Sequence, residues 1–133
     1  MILLDTHALI WLSEADKRLG RRARAAADVA LAAGKLAVSA ISFWEAGLLS
    51  GNQRLRLSSP VKAWRDMLID AGLTELPLDG HVAMRALDLD RLSPDPADRF
   101  IVATAIVFEA TLLTADTSLL QWPGALQRQD AGI

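Results

Sequence analysis

The sequence contains no cysteine and no tyrosine, and it has only two histidines among its 133 residues. Without cysteine the chain cannot form disulfides, thiolate nucleophiles or cysteine-based zinc sites, and this composition is typical of a cytoplasmic protein. The two histidines are not spaced as a helical pair, which argues against a histidine zinc site. Acidic side chains therefore become the main candidates for any chemistry that the chain performs.

Long apolar runs and a strong charge imbalance are also missing. No stretch approaches 18 uninterrupted apolar residues, so we expect no membrane segment. Asp5 and His7 interrupt the first apolar run and no basic region precedes it, so we do not expect a secretory signal. The formal net charge is only −2, which excludes attraction of the whole molecule to nucleic acid. A nucleic-acid substrate would need a local basic face or a bound metal ion.

Short apolar segments alternate with helical patterns along the chain. This alternation predicts an α/β fold with a mostly parallel sheet, and the length of 133 residues predicts one domain, residues 1–133. The predicted strands are 2–5, 36–39, 73–78 and 111–115, with a weak fifth near the end, and residues 54–57 look extended. The predicted helices are 6–13, 19–33, 41–49, 60–70, 79–90 and 97–109.

Four acidic residues lie where a predicted strand or helix begins or ends. They are Asp5, Glu45, Asp98 and Asp116. A parallel sheet places its ligand site beyond the carboxyl ends of its strands. Adjacent strands lie roughly 5 Å apart, so Asp5 and Asp116 could share a cation if their strands are neighbours. Two carboxylates about 4 Å apart repel by roughly 4 kcal/mol at an effective dielectric near 20. Such a cluster needs protons or a hard cation such as Mg²⁺ or Mn²⁺.

Each of these acids also has a purely structural interpretation. Glu45 follows Ser42 by three residues, which is the spacing of a capping box. Asp98 fits a first-turn acid that favours the helix dipole, and the two acids after strands fit ordinary turn residues. If all four are only caps and turn acids, the chain is a non-catalytic interaction module.

Several neighbouring side chains are candidates for supporting roles. Thr6 and Thr114 stand next to acids and could orient the carboxylates by hydrogen bonds, or make only local turn bonds. His7 could act as a general acid, a ligand or an orienting group. Arg99 could contact phosphate or pair with an acid on the helix surface, and Asp95 fits a helix cap.

Basic and aromatic residues give a weaker signal. Two basic groups could track a nucleic-acid backbone, although solvated surface is the commoner explanation. Trp11 and Trp44 neighbour the acidic segments and are expected to pack into the core beneath them, whereas the Trp64 helix face is either core or a groove for a partner helix. The two basic groups are Arg18, Arg21, Arg22 and Arg24, and then Arg54, Arg56, Lys62 and Arg65.

Four sequence blocks in this order carry a family resemblance. They are residues 4–11 (LDTHALIW), 39–45 (SAISFWE), 95–105 (DPADRFIVATA) and 113–116 (LTAD). The chain resembles PIN-domain ribonucleases over almost its whole length, and in particular the toxin component of bacterial VapBC toxin–antitoxin pairs.

The resemblance implies a PIN-like fold with a central five-stranded parallel sheet flanked by helices. It implies that Asp5, Glu45, Asp98 and Asp116 form the acidic set for Mg²⁺, with Mn²⁺ possible. Asp5 is then the central ligand, and Glu45 binds or activates water. It further implies an RNA substrate, a homodimer and inhibition by a cognate VapB-type antitoxin.

The chemistry expected of such a site is hydrolysis of RNA phosphodiesters by water, which leaves a 5′-phosphate and a 3′-hydroxyl. A housekeeping role in RNA processing is an alternative for the same type of nuclease. A phosphatase that forms an aspartyl phosphate on Asp5 is a further alternative. Such enzymes have a second Asp two residues later, where this chain has His7.

Overall fold

The structure is a computed structural model that describes residues 1–133. Five parallel strands form one sheet in the order β3-β2-β1-β4-β5. The strands are β1 (Ile2–Leu4), β2 (Leu36–Ser39), β3 (Thr74–Leu76), β4 (Thr111–Thr114) and β5 (Arg128–Asp130). The helices are α1 (Thr6–Ser13), α2 (Arg21–Ala32), α3 (Ala40–Gly51), α4 (Val61–Asp70), α5 (Gly80–Leu87), α6 (Pro96–Val107) and α7 (Thr117–Leu120). None of these helices has the length and apolar character needed to cross a bilayer.

The central strands are apolar on both faces because helices cover both sides of the sheet. Alternate side chains of a strand point to opposite faces. Leu3 and Leu112 accordingly enter the core beneath α5 and α6, whereas Leu4 and Leu113 enter the core beneath α1, α2 and α4. All four leucines are fully buried. The predicted parallel sheet flanked by helices is therefore confirmed.

The strand order fixes where a ligand site can form. β1 pairs with β2 on one side and with β4 on the other, with Leu4 opposite Leu113. Chain order reverses between β1 and β4, which makes their carboxyl ends the switch point of the sheet. Asp5 and Asp116 were expected to share a cation only if their strands are neighbours, and β1 and β4 are neighbours.

Most predicted elements are present, with differences at their ends. The weak fifth strand is confirmed as β5. The one-turn helix α7 was not predicted because four residues carry too little periodicity to reveal a helix. Residues 54–57 join no strand of the sheet. Helix α3 begins at Ala40 because the Ser39 hydroxyl accepts a hydrogen bond from the Ile41 amide at 3.2 Å and caps it there.

Candidate active site

All four predicted acids line one cavity of about 360 Å³ at the switch point of the sheet. Asp95, which the sequence indicated only as a cap, lines it too. Neither Lys nor Arg is among the lining residues, and none of the five carboxylates forms a salt bridge. The sequence-predicted acids are thus brought together, and no lysine or arginine serves as a counterion for their charges.

Asp5 is the most buried of these acids, with 7% of its surface exposed. It follows β1 and caps α1, where its Oδ1 accepts a hydrogen bond from the Ala8 amide at 2.8 Å. Its Oδ2 accepts a hydrogen bond from the hydroxyl of Thr114. Burial raises the pKa of Asp5, although both hydrogen bonds and the charge of His7 act to lower that pKa. The local cap and the cavity position are therefore roles of one side chain.

Thr114 connects the two acids that follow neighbouring strands. Its hydroxyl oxygen donates to Asp5 and accepts a hydrogen bond from the backbone amide of Asp116 at 3.1 Å. Asp116 itself is exposed and caps α7 by accepting from the Ser118 amide at 2.8 Å and from the Ser118 hydroxyl at 2.7 Å. Thr114 was expected to orient a carboxylate, and the carboxylate that it holds belongs to Asp5 across the sheet.

The pKa of Asp98 shows that the acids of the cavity affect one another. It lies in the first turn of α6, after the cap residue Asp95, whose Oδ1 accepts from the Ala97 amide at 2.9 Å and the Asp98 amide at 3.3 Å. The pKa of Asp98 is raised to about 7, first by burial and then by the charges of Asp95, Asp116, Glu45 and Asp5. The carboxylates are thus close enough to oppose one another's ionisation.

The capping-box interpretation of Glu45 is wrong. Because Ser39 caps α3, Glu45 lies well inside the helix, and its side chain faces the cavity. Ser42 is fully buried and its hydroxyl accepts a hydrogen bond from the Thr6 hydroxyl at 2.9 Å. Thr6 therefore joins α1 to α3, the helix that carries Glu45, and it makes no hydrogen bond to a carboxylate. A serine within an apolar stretch was the available signal for this buried link.

Arg99 does not pair with an acid, because its guanidinium is turned into the backbone. Nη2 donates to the carbonyls of Ala86 at 2.7 Å and Leu89 at 3.0 Å. Nη1 donates to the carbonyls of Leu92 at 3.3 Å and Ser93 at 3.5 Å. These acceptors include the end of α5 and the loop that leads to α6, so Arg99 fixes the segment that precedes Asp95 and Asp98.

One histidine and one tryptophan also line the cavity, whereas Trp44 and Trp64 lie outside it. His7 is exposed and lines it, next to Asp5. Trp11 lines it as well and packs partly against the core, as predicted. Trp44 was predicted to pack into the core, and this prediction is wrong because Trp44 is 57% exposed. Trp64 is fully buried, so the core interpretation of its helix face holds.

The donor set fits a hard divalent cation. The cavity offers carboxylate and hydroxyl oxygens without sulfur or a histidine cluster, which is the chemistry that Mg²⁺ and Mn²⁺ prefer. As placed, no three of the acidic or histidine side chains converge on one point at ligating distance. Asp5 and Asp116 use oxygens as helix caps, and the uncompensated charges repel one another. A cation would remove that repulsion.

Comparison with known proteins identifies the same family. The PIN domain family model matches residues 2–123. The chain is 38% identical over 119 residues to Ribonuclease VapC22 from Mycobacterium tuberculosis (strain ATCC 25618 / H37Rv), covering 89% of this chain and 88% of that protein.

Solved structures show the same fold. The DNA-bound VapBC structure from Salmonella typhimurium has a TM-score of 0.70 at 20% identity, covering 97% of this chain and 96% of the other. FitAcB from Neisseria gonorrhoeae has a TM-score of 0.64 at 22% identity, covering 98% of both chains. On the PIN-domain match and the 38% identity to Ribonuclease VapC22, the chain belongs to the PIN-domain family and, within it, to the VapC ribonucleases.

Proposed function

We propose that this chain is a Mg²⁺-dependent endoribonuclease, the toxin of a type II toxin–antitoxin pair, in which residues 1–133 act as one PIN domain. The observation that carries the proposal is the set of five carboxylates that line one cavity with no lysine or arginine among the lining residues. Ribonucleases with a PIN domain generally depend on a divalent metal ion. We assign Mg²⁺ to this site, with Mn²⁺ as a second ion that the same oxygens would accept. The expected location is the cytoplasm.

Asp5, Asp98 and Asp116 are the residues that would hold the cation, and Glu45 would bind through water. When bound, the cation lowers the pKa of water and compensates charge on the phosphoryl oxygens. Glu45 accepts the proton of the attacking water, which makes it the general base. Because the nucleophile is water and not the ribose 2′-hydroxyl, the products are a 5′-phosphate and a 3′-hydroxyl.

The remaining side chains position these acids. The Thr114 hydroxyl holds the Asp5 carboxylate, and its contact with the Asp116 amide ties the ends of β1 and β4 together. Asp95 and Arg99 fix the turn that presents Asp98. His7 lies at the mouth of the cavity, where its imidazole can orient the substrate or donate a proton to the leaving oxygen.

A VapB-type antitoxin is the expected partner. The solved structures that this fold matches include complexes of VapB with VapC. We also propose a homodimer. Exposed apolar side chains on α3 and α5, two helices that pack against α6, support it. These side chains are Trp44, Leu48, Met84 and Leu87.

Mapping of RNA ends tests the proposed activity. Purified protein is incubated with total RNA in Mg²⁺ or in EDTA, and new 5′ ends are sequenced. We expect specific cuts with 5′-phosphates in Mg²⁺, and none with EDTA or with Asp5→Asn. Asp28→Asn, an exposed acid on α2, is the matched control and should cut normally. Equal cutting by Asp5→Asn would overturn the proposal, and no cutting by the wild type under any divalent ion would favour a non-catalytic module.

A further inference from the structure

A second cavity opens beside the acidic one. It has a volume of about 370 Å³ and is lined by residues of α1, by the loop after α1, and by the end of α3 with the loop that follows. His7 and Trp11 line both cavities, so the two lie side by side. The second cavity contains Arg18 and Arg54 and no acidic residue. We call it the arginine groove.

Arg18 is held in this groove by two contacts. Its guanidinium lies 5.2 Å from the centroid of the Trp11 ring, a cation–π geometry. Its Nε and Nη2 donate to the Asp16 carboxylate, Nη2 at 2.7 Å. Nη1 makes no hydrogen bond within the protein, and the side chain is 68% exposed. The guanidinium is thus oriented while part of its donor capacity stays open to a ligand.

Arg54 lines the groove from the loop that follows α3, whereas Arg18 lies in the loop after α1. Arg54 is exposed and forms no salt bridge or side-chain hydrogen bond. Arg65, another member of the same basic group, is paired with Glu75 at 2.7 Å and does not line the groove. Two arginines that lie 36 positions apart in the sequence therefore meet beside the acidic cavity of a chain with net charge −2.

We propose that the arginine groove binds the phosphodiester backbone of a single-stranded RNA segment that flanks the cleaved bond. The inference rests on the proposed ribonuclease function. The acidic cavity repels phosphate unless a cation is bound, so neighbouring phosphates need a separate source of positive charge. Guanidinium groups supply it because their planar donors match phosphate oxygens. His7 and Trp11 mark where the strand passes from the groove to the carboxylates.

Binding of labelled RNA tests the groove directly. The double variant Arg18→Gln, Arg54→Gln is compared with Arg21→Gln, Arg56→Gln, which removes the same charge from two exposed arginines outside the groove. Anisotropy is measured with a fluorescent single-stranded RNA in Ca²⁺ at several salt concentrations. We expect at least five-fold weaker binding by the groove variant. Each phosphate contact contributes about 0.7 to the salt slope of a single strand, so the slope should fall by about 1.4. The control variant should keep the wild-type slope.

Kinetics separate substrate binding from chemistry. With an RNA oligonucleotide in Mg²⁺, the groove variant should raise KM at least five-fold and leave kcat within about two-fold. Bis(p-nitrophenyl) phosphate carries no flanking nucleotides, so its hydrolysis should be unchanged. Trp11→Phe keeps an aromatic ring beside Arg18 and should retain more RNA binding than Trp11→Leu.

The outcomes separate this inference from the proposed function. If the groove variant matches the control variant in RNA binding, salt slope and KM, the groove does not bind RNA. Unchanged RNA binding together with weaker inhibition by the antitoxin would also overturn this inference and would assign the groove to protein. If the wild type hydrolyses neither RNA nor the small diester, the ribonuclease proposal fails. A selective loss of RNA binding in the groove variant would still support the groove.

Discussion

Among single residues, several acids of the cavity accept hydrogen bonds from backbone amides at helix starts, and their charges repel one another. Asp5, Asp95 and Asp116 each cap a helix. The structural interpretation of these residues is therefore correct, and it is compatible with the functional one that we propose. Local capping explains why carboxylates are tolerated at these positions. It does not explain why five of them line one cavity.

Replacing Asp98 by Asn should stabilise the protein in the absence of metal while abolishing cleavage. The native pKa of about 7 lies above the ordinary value of 3.8, so the native state holds more protons between these pH values. The free energy of unfolding therefore falls as pH rises through this window, and the whole destabilisation by ionised Asp98 is present above pH 7. In EDTA we expect Asp98→Asn to melt a few degrees higher than the wild type at pH 8, with a smaller difference at pH 5.

Asp28→Asn is the control for this melting experiment, because Asp28 is exposed on α2 and does not line the cavity. Its melting temperature should follow the wild type across the pH range. An Asp98→Asn variant that melts at or below the wild-type temperature at pH 8 would show that the acids do not strain one another.

Thr114→Val should lower both stability and activity. The valine keeps the shape of the side chain but removes the hydroxyl that donates to Asp5 and accepts from the Asp116 amide. Leaving buried polar groups unpaired costs roughly 1–3 kcal/mol, which urea unfolding at neutral pH would measure. Thr114→Ser keeps the hydroxyl and should lie close to the wild type in cleavage rate. Equal cleavage by the valine variant would remove Thr114 from the site.

At the scale of secondary-structure elements, sequence signals with a local mechanism predicted the structure well. Asp95 before Pro96 marked the start of α6, and Asp79 marked the start of α5, because each carboxylate caps the amides that follow it. The capping-box interpretation of Glu45 took Ser42 as the cap of α3, whereas the cap is Ser39. Ser39 and Ser42 are equally good caps by residue type, and only the end of β2 decides between them.

Arg99 shows what local patterns cannot supply. Its acceptors are carbonyls of α5 and of the loop before α6, and their grouping depends on how the two helices pack.

Arg99→Lys keeps the charge but cannot reach several carbonyls with one planar group. We expect a loss of about 1–3 kcal/mol in the free energy of unfolding. Arg85→Lys, at an exposed position on α5 with no side-chain hydrogen bond, should have little effect. Equal stability of both variants would contradict the structural role of Arg99.

At the scale of the whole molecule, the fold class followed from apolar strands alternating with helices, whereas the neighbours of each strand did not. Nothing in the periodicity states that β1 lies beside β4, and the meeting of Asp5 and Asp116 depends on that order. The arginine groove could not be predicted from the sequence either, because Arg18 and Arg54 belong to separate basic groups that only the folded chain brings together. Long-range placement, more than element type, was the missing information.

We propose that these distant carboxylates jointly hold a divalent ion. Isothermal titration of Mn²⁺ into metal-free protein measures this binding, with Asp5→Asn and Asp98→Asn as variants and Asp28→Asn as the control. We predict saturable binding by the wild type and the control, and at least ten-fold weaker binding by both cavity variants. Binding of equal strength in Asp5→Asn, or no saturable binding by the wild type, would show that these carboxylates do not form a metal site.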